Sequence, residues 1–213
     1  MELALNVRCT LRSPEVSGTC FSTDYTTDCR VNLTRLRLEN IFTHFLWNND
    51  PELNHYHSEA PFHPEKFGPF QKRFLKLIYH PAPDVLDLEI HTHDGHLIGV
   101  AFIKDINLTH RHCKVGLSIC EPAFRGQGYG RDTLAALVNY AFHGLGMNRV
   151  AADVFDFNEA WRGLLESMGF CYEGRLKDYL VHNGTFVDKE IYATLAAAHH
   201  TGVGDTLDLV LVA

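Results

Sequence analysis

A run of alternating glycines constrains this chain more than any other feature of its 213 residues. It reads Arg-Gly-Gln-Gly-Tyr-Gly-Arg over residues 125–131, between an extended apolar segment at 113–120 and an amphipathic segment at 131–145. Glycine has no Cβ, so a ligand can approach the backbone closely, and the N–H groups at the start of the following helix favour an anion. The segment therefore predicts a strand, a loop that holds a phosphate or pyrophosphate, and a helix.

Two familiar phosphate loops do not fit this segment. The G-x-x-x-x-G-K-[ST] spacing is absent, and the third glycine comes one residue too early for the dinucleotide fingerprint G-x-G-x-x-G. A tight strand-to-helix turn that needs glycine for steric reasons alone stays open as the alternative.

The rest of the chain alternates between helical and extended patterns. Asp94-Gly95 and Asn183-Gly184 each lie between two extended runs and predict hairpins. Apolar spacing predicts helices at 40–47, 64–78, 131–145 and 159–168, and strands at 85–93, 96–104, 113–120, 149–155, 170–181 and 186–195. This order predicts an α/β (α+β) fold with a mixed, mostly antiparallel central sheet flanked by helices.

Three regions follow from composition. Residues 1–28 are rich in Ser, Thr and Cys without a clear period, and we expect a poorly ordered N-terminal arm. Residues 29–196 form the predicted domain. Residues 197–213 are a C-terminal tail that ends in the apolar run LDLVLVA.

Charge and residue usage exclude several classes. The chain has 19 Lys and Arg against 26 Asp and Glu, a net charge of −7, whereas proteins that bind nucleic acid usually present a basic face. It has no apolar run long enough to cross a bilayer and no secretory signal at its start, so we expect a cytoplasmic protein with no membrane partner.

Cysteine and histidine usage gives no strong metal signal. None of the six cysteines forms a C-x-x-C pair, so we expect free thiols and no metal. His91 and His93 lie on one face of a predicted strand, which is the metal-binding alternative.

Two motifs together resemble the general N-acetyltransferase (GNAT) superfamily. The first is Arg125-x-x-Gly128-x-Gly130, and the second is Asn158 at the start of a helix that is followed by Gly169-Phe170. The order of elements over 29–196 is similar to that superfamily. Segments 47–52 and 173–188 look like the branch of ribosomal-protein N-terminal acetyltransferases, and the second also looks like the spermidine N-acetyltransferases.

The resemblance implies an acetyl-CoA-dependent N-acetyltransferase with no metal. It implies direct transfer of the acetyl group to a primary amine, on a protein N-terminus or on a small amine or polyamine. The residues expected to bind acetyl-CoA are Ser118, Ile119, Cys120, Arg125, Gly126, Gln127, Gly128, Tyr129, Gly130, Arg131 and Asn158. In the family, the strands that hold Ile119 and Val154 splay apart, and the thioester lies in the gap between them.

Asp153 is the expected catalytic base, because several relatives place a carboxylate five residues before the Asn. That role requires burial to raise the pKa of Asp153 toward neutrality. A strand Asp that faces solvent or pairs with a neighbour is the alternative. Asn158 is likewise either a pantetheine contact or a plain helix N-cap, and both roles can hold together.

The general acid is left unassigned by the resemblance. Leu165 stands where many relatives have Tyr, and Trp161 stands where ribosomal relatives often have Ser. Tyr172 and Tyr179 are near in sequence, but the face on which each lies is undetermined. Cys120 is either a core thiol or the acyl acceptor of a two-step mechanism.

Two other functions stay open. One is a non-catalytic acyl-CoA-binding module of the same fold. The other is an acyltransferase for a longer acyl chain, in which Leu165 and Trp161 would shape the acyl pocket. The acceptor groove is expected from the first two helices and the closing hairpin, with His55, Tyr56, His57 and Glu59 as candidates. A hairpin edge beside an apolar tail also leaves a homodimer open.

Overall fold

Seven strands form one sheet in the order β1-β2-β3-β4-β5-β7-β6. The computed structural model describes residues 30–57 and 62–199. The strands are β1 Val31–Arg35, β2 Leu86–Thr92, β3 Leu97–Asn107, β4 His112–Ile119, β5 Arg149–Phe155, β6 Cys171–His182 and β7 Thr185–Leu195. Neighbouring strands are antiparallel except β4 and β5, which run parallel. The predicted mixed, mostly antiparallel sheet is confirmed.

Six α-helices accompany the sheet in the described part of the chain. They are α1 Ile41–Asn48, α2 Pro51–His57, α3 Phe67–Tyr79, α4 Tyr129–Asn139, α5 Glu159–Ser167 and α6 Ala196–His199. After α4 the backbone widens into a π-turn over Tyr140–Gly144, where the N–H of Leu145 donates to the carbonyl of Tyr140. The expected arm at 1–28 lies outside the described residues, and so does the tail beyond 199. The limits of the domain stay a prediction.

Three of these strands and helices were not predicted from the sequence: β1, α2 and the short α6 that follows β7. Strand β1 is a five-residue edge strand, and its place is set by antiparallel pairing with β2, more than fifty residues later. Helix α2 begins at Pro51, which suits the first helical position, and the carboxylate of Asp50 accepts from the N–H of Glu52. The segment that follows α1 therefore starts a second helix.

The main core lies between one face of the sheet and helices α4 and α5. Inward side chains of alternate strand residues meet the apolar stripe of α4, as its helical spacing predicts. Several of these side chains are fully buried: Ile90, Ile98, Ile103, Leu134, Leu137 and Val150. Each such burial contributes about 1.5–3 kcal/mol, so this layer fixes the register of the strands.

Helices α1 and α3 cover part of the opposite face of the sheet, over β1 and β2. Ile41, Phe70 and Phe74 are buried in a second cluster there, so the phenylalanines at 70 and 74 of α3 serve packing. Leu36, Phe45, Phe67 and Ile78 are partly buried against the same cluster. The cluster attaches α1, and with it the start of α2, to the sheet.

Glu89 is fully buried under α1. Its carboxylate accepts hydrogen bonds from His44 Nε2 (2.9 Å), His91 Nε2 (2.9 Å), Asn40 Nδ2 (2.7 Å) and the N–H of Arg37 (3.0 Å). Burial alone would raise the pKa of Glu89, but these hydrogen bonds outweigh burial and lower it to about 2. His91 is thus a partner of Glu89, while His93 is exposed, so the two do not form the metal pair considered above.

Candidate functional site

A gap opens between the two parallel strands at the centre of the sheet. Strands β4 and β5 pair only from His112 to Lys114 and from Arg149 to Ala151, although both run on for several residues. They therefore diverge toward their C-terminal ends, and the expected splay is confirmed. The unpaired edge of β4 offers backbone groups to an extended ligand, as the edge of any strand does.

The backbone of β4 shows which of its groups face this gap. The carbonyl of Ser118 lies against Gly99 on β3, and the N–H of Cys120 donates to the carbonyl of Ile98 (2.9 Å). Peptide groups alternate along a strand, so the N–H of Ile119 is directed at the gap. Of the three predicted strand contacts, Ile119 has the backbone orientation suited to a ligand.

The glycine segment follows β4 directly and begins α4. Gly128 is the N-cap of α4 at φ +89°, and Gly126 has φ +69°, a region that other residues rarely adopt. The space beside Gly126 is open. The N–H groups of Tyr129, Gly130 and Arg131 form the first turn, where intrahelical acceptors are missing by geometry and an anion is favoured.

Gly130 has a different role from the two glycines before it. A Cβ at this position would lie 3.6 Å from Leu164 on α5 and 3.8 Å from Leu117 on β4. These are ordinary van der Waals distances, so a Cβ would fit at this position, which faces the protein interior. Gln127 Nε2 donates to the carbonyl of Ala123, and Arg131 is exposed at the mouth of the loop.

Arg30 adds a cation to this loop that sequence reasoning missed. Its Nε donates to the carboxylate of Asp132 in the first turn of α4 (2.8 Å), and its guanidinium lies over the ring of Tyr129 (4.9 Å). One of its terminal nitrogens is 2.5 Å from the position that a Cβ on Gly128 would take. Only the tertiary fold brings β1 to this loop, so no local signal reveals the contact.

Arg125 braces the loop from inside. Its Nε and Nη2 donate to the carbonyls of Ile119 and Cys120 (both 3.0 Å), and its Nη1 donates to the carboxylate of Glu52 on α2 (2.6 Å). All three nitrogens are thus engaged by the protein. Its expected contact with the cofactor stays a prediction, whereas its structural role at the end of β4 is clear.

Asn158 lies across the gap, just after β5. Its side-chain oxygen accepts from the N–H of Trp161 (3.1 Å), which is the N-cap interaction expected for a helix start. Trp161 in turn donates its indole N–H to the carbonyl of Asp153 (3.1 Å). The N-cap role is confirmed, and the pantetheine contact stays a prediction.

Asp153 does not have the environment that a base of raised pKa requires. Its carboxylate lies 2.9 Å from the ammonium of Lys189 on β7 and 3.2 Å from that of Lys114 on β4. Burial raises the pKa of Asp153, but the hydrogen bond and charge of Lys189, with the charge of Lys114, outweigh burial and hold it below its usual value. The condition that the base role requires, a raised pKa, is therefore not met, and the alternative of a carboxylate that pairs with its neighbours is the arrangement found.

The residues considered in connection with the general acid lie in three different environments. Leu165 is fully buried in the main core, so it cannot line an open acyl pocket as considered above. Tyr172 contacts Tyr192 on the face that carries α5, because Tyr192 donates its hydroxyl to Glu166 of that helix. Tyr179 lies on the opposite face, where its ring is 4.5 Å from the ammonium of Lys189.

Cys120 is buried and close to Ser118, 3.7 Å from Sγ to Oγ. Burial raises the pKa of its thiol to about 11. Since the thiolate is the nucleophile, such a thiol is a poor acyl acceptor at neutral pH. These observations favour the core-thiol alternative.

The expected acceptor groove contains one close contact that the sequence did not indicate. His55 on α2 meets His182 at the end of β6, with 2.7 Å between His55 Nδ1 and His182 Nε2. Tyr56 is half-exposed beside His55. The position of the His57 side chain is not described, and Glu59 lies outside the described residues.

The described residues contain neither a cluster of metal ligands nor a helix that could span a membrane. Within 30–57 and 62–199, no group of three or more His, Cys, Asp or Glu side chains is arranged to hold a metal ion. No helix in those same ranges is long and apolar enough to cross a membrane.

Comparison with known proteins agrees with this arrangement. A family model described as an acetyltransferase (GNAT) domain matches residues 30–171. The uncharacterized N-acetyltransferase YoaA of Bacillus subtilis is 36% identical over 97 residues, 46% of this chain and 54% of the relative. The putative ribosomal N-acetyltransferase YdaF of the same species is 33% identical over 103 residues, 48% of this chain and 56% of the relative. The alignments thus span about half the length of these relatives.

Spermidine acetyltransferases of Vibrio cholerae are matched over more of the chain. The curated spermidine N(1)-acetyltransferase is 28% identical over 152 residues, 71% of this chain and 84% of the relative. A crystal structure of spermidine N-acetyltransferase from the same organism, in complex with CoA and spermine, superposes with a TM-score of 0.71 at 23% identity. It covers 79% of this chain and 96% of that one, which establishes the fold.

Proposed function

The chain belongs to the GNAT acetyltransferase family, and we propose that it transfers the acetyl group of acetyl-CoA directly to a primary amine. One observation carries the proposal: the gap between β4 and β5 opens beside the glycine loop that starts α4. A CoA molecule contains both a pyrophosphate, which suits the loop, and an extended pantetheine arm, which suits the gap. When bound, acetyl-CoA supplies a thioester whose carbonyl carbon an amine can attack.

The residues of this chain have distinct parts in the proposal. Gly126, Gly128 and the first turn of α4 hold the pyrophosphate through backbone N–H groups. The remaining predicted contacts are Ser118, Ile119, Cys120, Arg125, Gln127, Tyr129, Gly130, Arg131 and Asn158. The N–H of Ile119 is the best-oriented donor toward the pantetheine arm or toward the oxygen that becomes negative during transfer.

The charges around Asp153 bear on the acceptor. Lys114 and Lys189 contact its carboxylate, and Lys104 lies over the ring of Phe102 on the same face of the sheet. Asp105 also lies 3.6 Å from the ammonium of Lys114, and Asp87 is in register with Phe102, so three lysines share this face with three aspartates. The charges nearly balance and are compatible with either proposed acceptor, a protein N-terminus or a small amine or polyamine.

A thiol-release assay tests the proposal. Acetyl-CoA is offered with peptide N-termini, polyamines and aminoglycosides, and acetyl-CoA binding is measured in parallel by calorimetry. We expect binding, with thiol release that depends on one class of amine acceptor. Absence of acetyl-CoA binding would overturn the proposal, and the acceptor that supports release identifies the substrate class.

A non-catalytic acyl-CoA-binding module is the second candidate. It is favoured by the ion pairs of Asp153 and by the burial of Leu165, because neither position then supplies an acid or a base. It predicts tight acetyl-CoA binding in the calorimeter and no thiol release with any acceptor. The same pair of measurements thus separates the two candidates.

A further inference from the structure

We propose that His55 and His182 form an imidazole pair that accepts the proton of the acceptor amine, an inference that rests on the proposed function. The two ring nitrogens, His55 Nδ1 and His182 Nε2, are 2.7 Å apart. At that distance one nitrogen donates and the other accepts, so the pair shares one proton. The outer nitrogens, His55 Nε2 and His182 Nδ1, are then available to a ligand.

Helix α2 puts this pair at the mouth of the gap. At its first turn, Glu52 contacts Arg125, which holds the end of β4. One turn later, the ring of His55 lies 4.9 Å from that of Phe157, the residue before Asn158 on the β5 side. The helix thus contacts both sides of the gap, and the imidazole pair lies at the β5 side, against the residue that precedes Asn158.

The surroundings of His182 suit a proton acceptor. The ring of Phe157 stacks on it at 4.7 Å, His55 faces it from α2, and Tyr56 lies behind His55. Burial, together with the charge of His55, lowers the pKa of His182. A neutral imidazole at pH 7 can take a proton, whereas the carboxylate of Asp153 is neutralised by two lysines.

The proton balance of the step is simple. The amine arrives as an ammonium ion and gives one proton to an outer nitrogen of the pair. The freed lone pair attacks the thioester carbonyl carbon, so that a C–N bond forms and the C–S bond breaks. The thiolate leaves and takes a second proton from the amine nitrogen, which becomes the neutral amide nitrogen. The imidazole pair then releases the first proton to solvent.

Two substitutions test the pair. His182→Gln and His55→Gln are expected to lower kcat by about 100-fold, the usual contribution of a general base, without changing the affinity for acetyl-CoA. The acid limb of the pH–rate profile that lies below the ordinary pKa of histidine should be lost in both. His110→Gln, in the exposed turn at the other end of β4, is the matched control and should behave as the wild type.

Chemical rescue separates proton transfer from positioning. Imidazole added to His182→Ala is expected to restore part of kcat, which a merely structural role of the ring would not allow. The inference is overturned if His182→Gln keeps its rate and its acid limb, or if the loss of rate comes with loss of acetyl-CoA binding and no rescue.

Failure of the proposed function gives a different result. If the wild-type chain releases no thiol with any acceptor, the pair is tested by NMR titration of the His182 ring, whose pKa lies below its ordinary value. The contact between the rings predicts that His55→Gln changes this titration. An unchanged His182 titration in His55→Gln would overturn the pair itself.

Discussion

Glu89→Gln should destabilise this protein more than most substitutions of a single polar residue. The change keeps the shape of the side chain but replaces one carboxylate oxygen by an NH2 group. That group would face donors that now bond the carboxylate: His44, His91, Asn40 and the backbone of Arg37. A donor facing a donor under α1 leaves buried polar groups unsatisfied.

The magnitude follows from the pKa of Glu89. Lowering it from the ordinary value of 4.5 to about 2 corresponds to about 3 kcal/mol of stabilisation of the folded state at neutral pH. Loss of one partner from a buried ionic cluster costs about 3–5 kcal/mol in other proteins, which is the same order. We therefore expect Glu89→Gln to lower the free energy of unfolding by about 3 kcal/mol.

Urea unfolding followed by circular dichroism measures this difference. Because the folded-state pKa of Glu89 is lowered, its contribution is complete above about pH 4.5 and is lost as pH falls toward 2. The gap between wild type and variant should thus be constant from pH 6 to 8 and shrink below pH 4.5. Glu39→Gln, an exposed neighbour, is the control and should change stability by less than about 0.5 kcal/mol. A loss under 1 kcal/mol at pH 7, or a gap that widens in acid, would refute the reasoning.

Three further predictions concern the site. Gly128→Ala should weaken acetyl-CoA binding in calorimetry and lower the free energy of unfolding by about 1–2 kcal/mol, because φ is positive and the Cβ would meet Arg30. Gly130→Ala should keep both the binding and the stability. Equal behaviour of the two variants would contradict this division. Asp153→Asn should lower the free energy of unfolding by about 2 kcal/mol at pH 7, because the buried ammonium of Lys189 loses the carboxylate with which it forms an ion pair, and should change kcat by less than tenfold; a 100-fold loss of rate in a stable variant would restore Asp153 as the base. Iodoacetamide at pH 8 should label the exposed Cys171 but not Cys113 or Cys120, because burial raises the pKa of these two thiols to about 12 and about 11. Peptide mass spectrometry measures the labelling. Early labelling of Cys120 would favour the two-step mechanism again.

Local patterns were enough for most of the fold. The hairpins around Asp94-Gly95 and Asn183-Gly184 and the helices α3 and α4 each depend on residues close in sequence, and each is found where the sequence predicted it, within a few residues. Strand β1 was missed because a five-residue edge strand has a weak pattern of its own, and only its partner β2 defines it.

Charge partners could not be predicted in the same way. Asp153 was expected to be a base because of its distance from Asn158, but Lys114 and Lys189 reach it from two other strands. The contact between His55 and His182 joins residues 127 positions apart. Spacing along a chain indicates which residue types are available, whereas the pKa of a group depends on neighbours that only the tertiary fold supplies.

Helix α2 contacts the loop after β4 through Glu52 and the start of the Asn158 turn through His55. This one short helix therefore contacts both of the places where the proposed substrates would meet. By thermodynamic linkage, if one ligand changes the affinity for the other by some factor, the second ligand changes the affinity for the first by the same factor. A substitution in α2 that weakens this coupling should thus weaken the effect of each substrate on the other by the same factor.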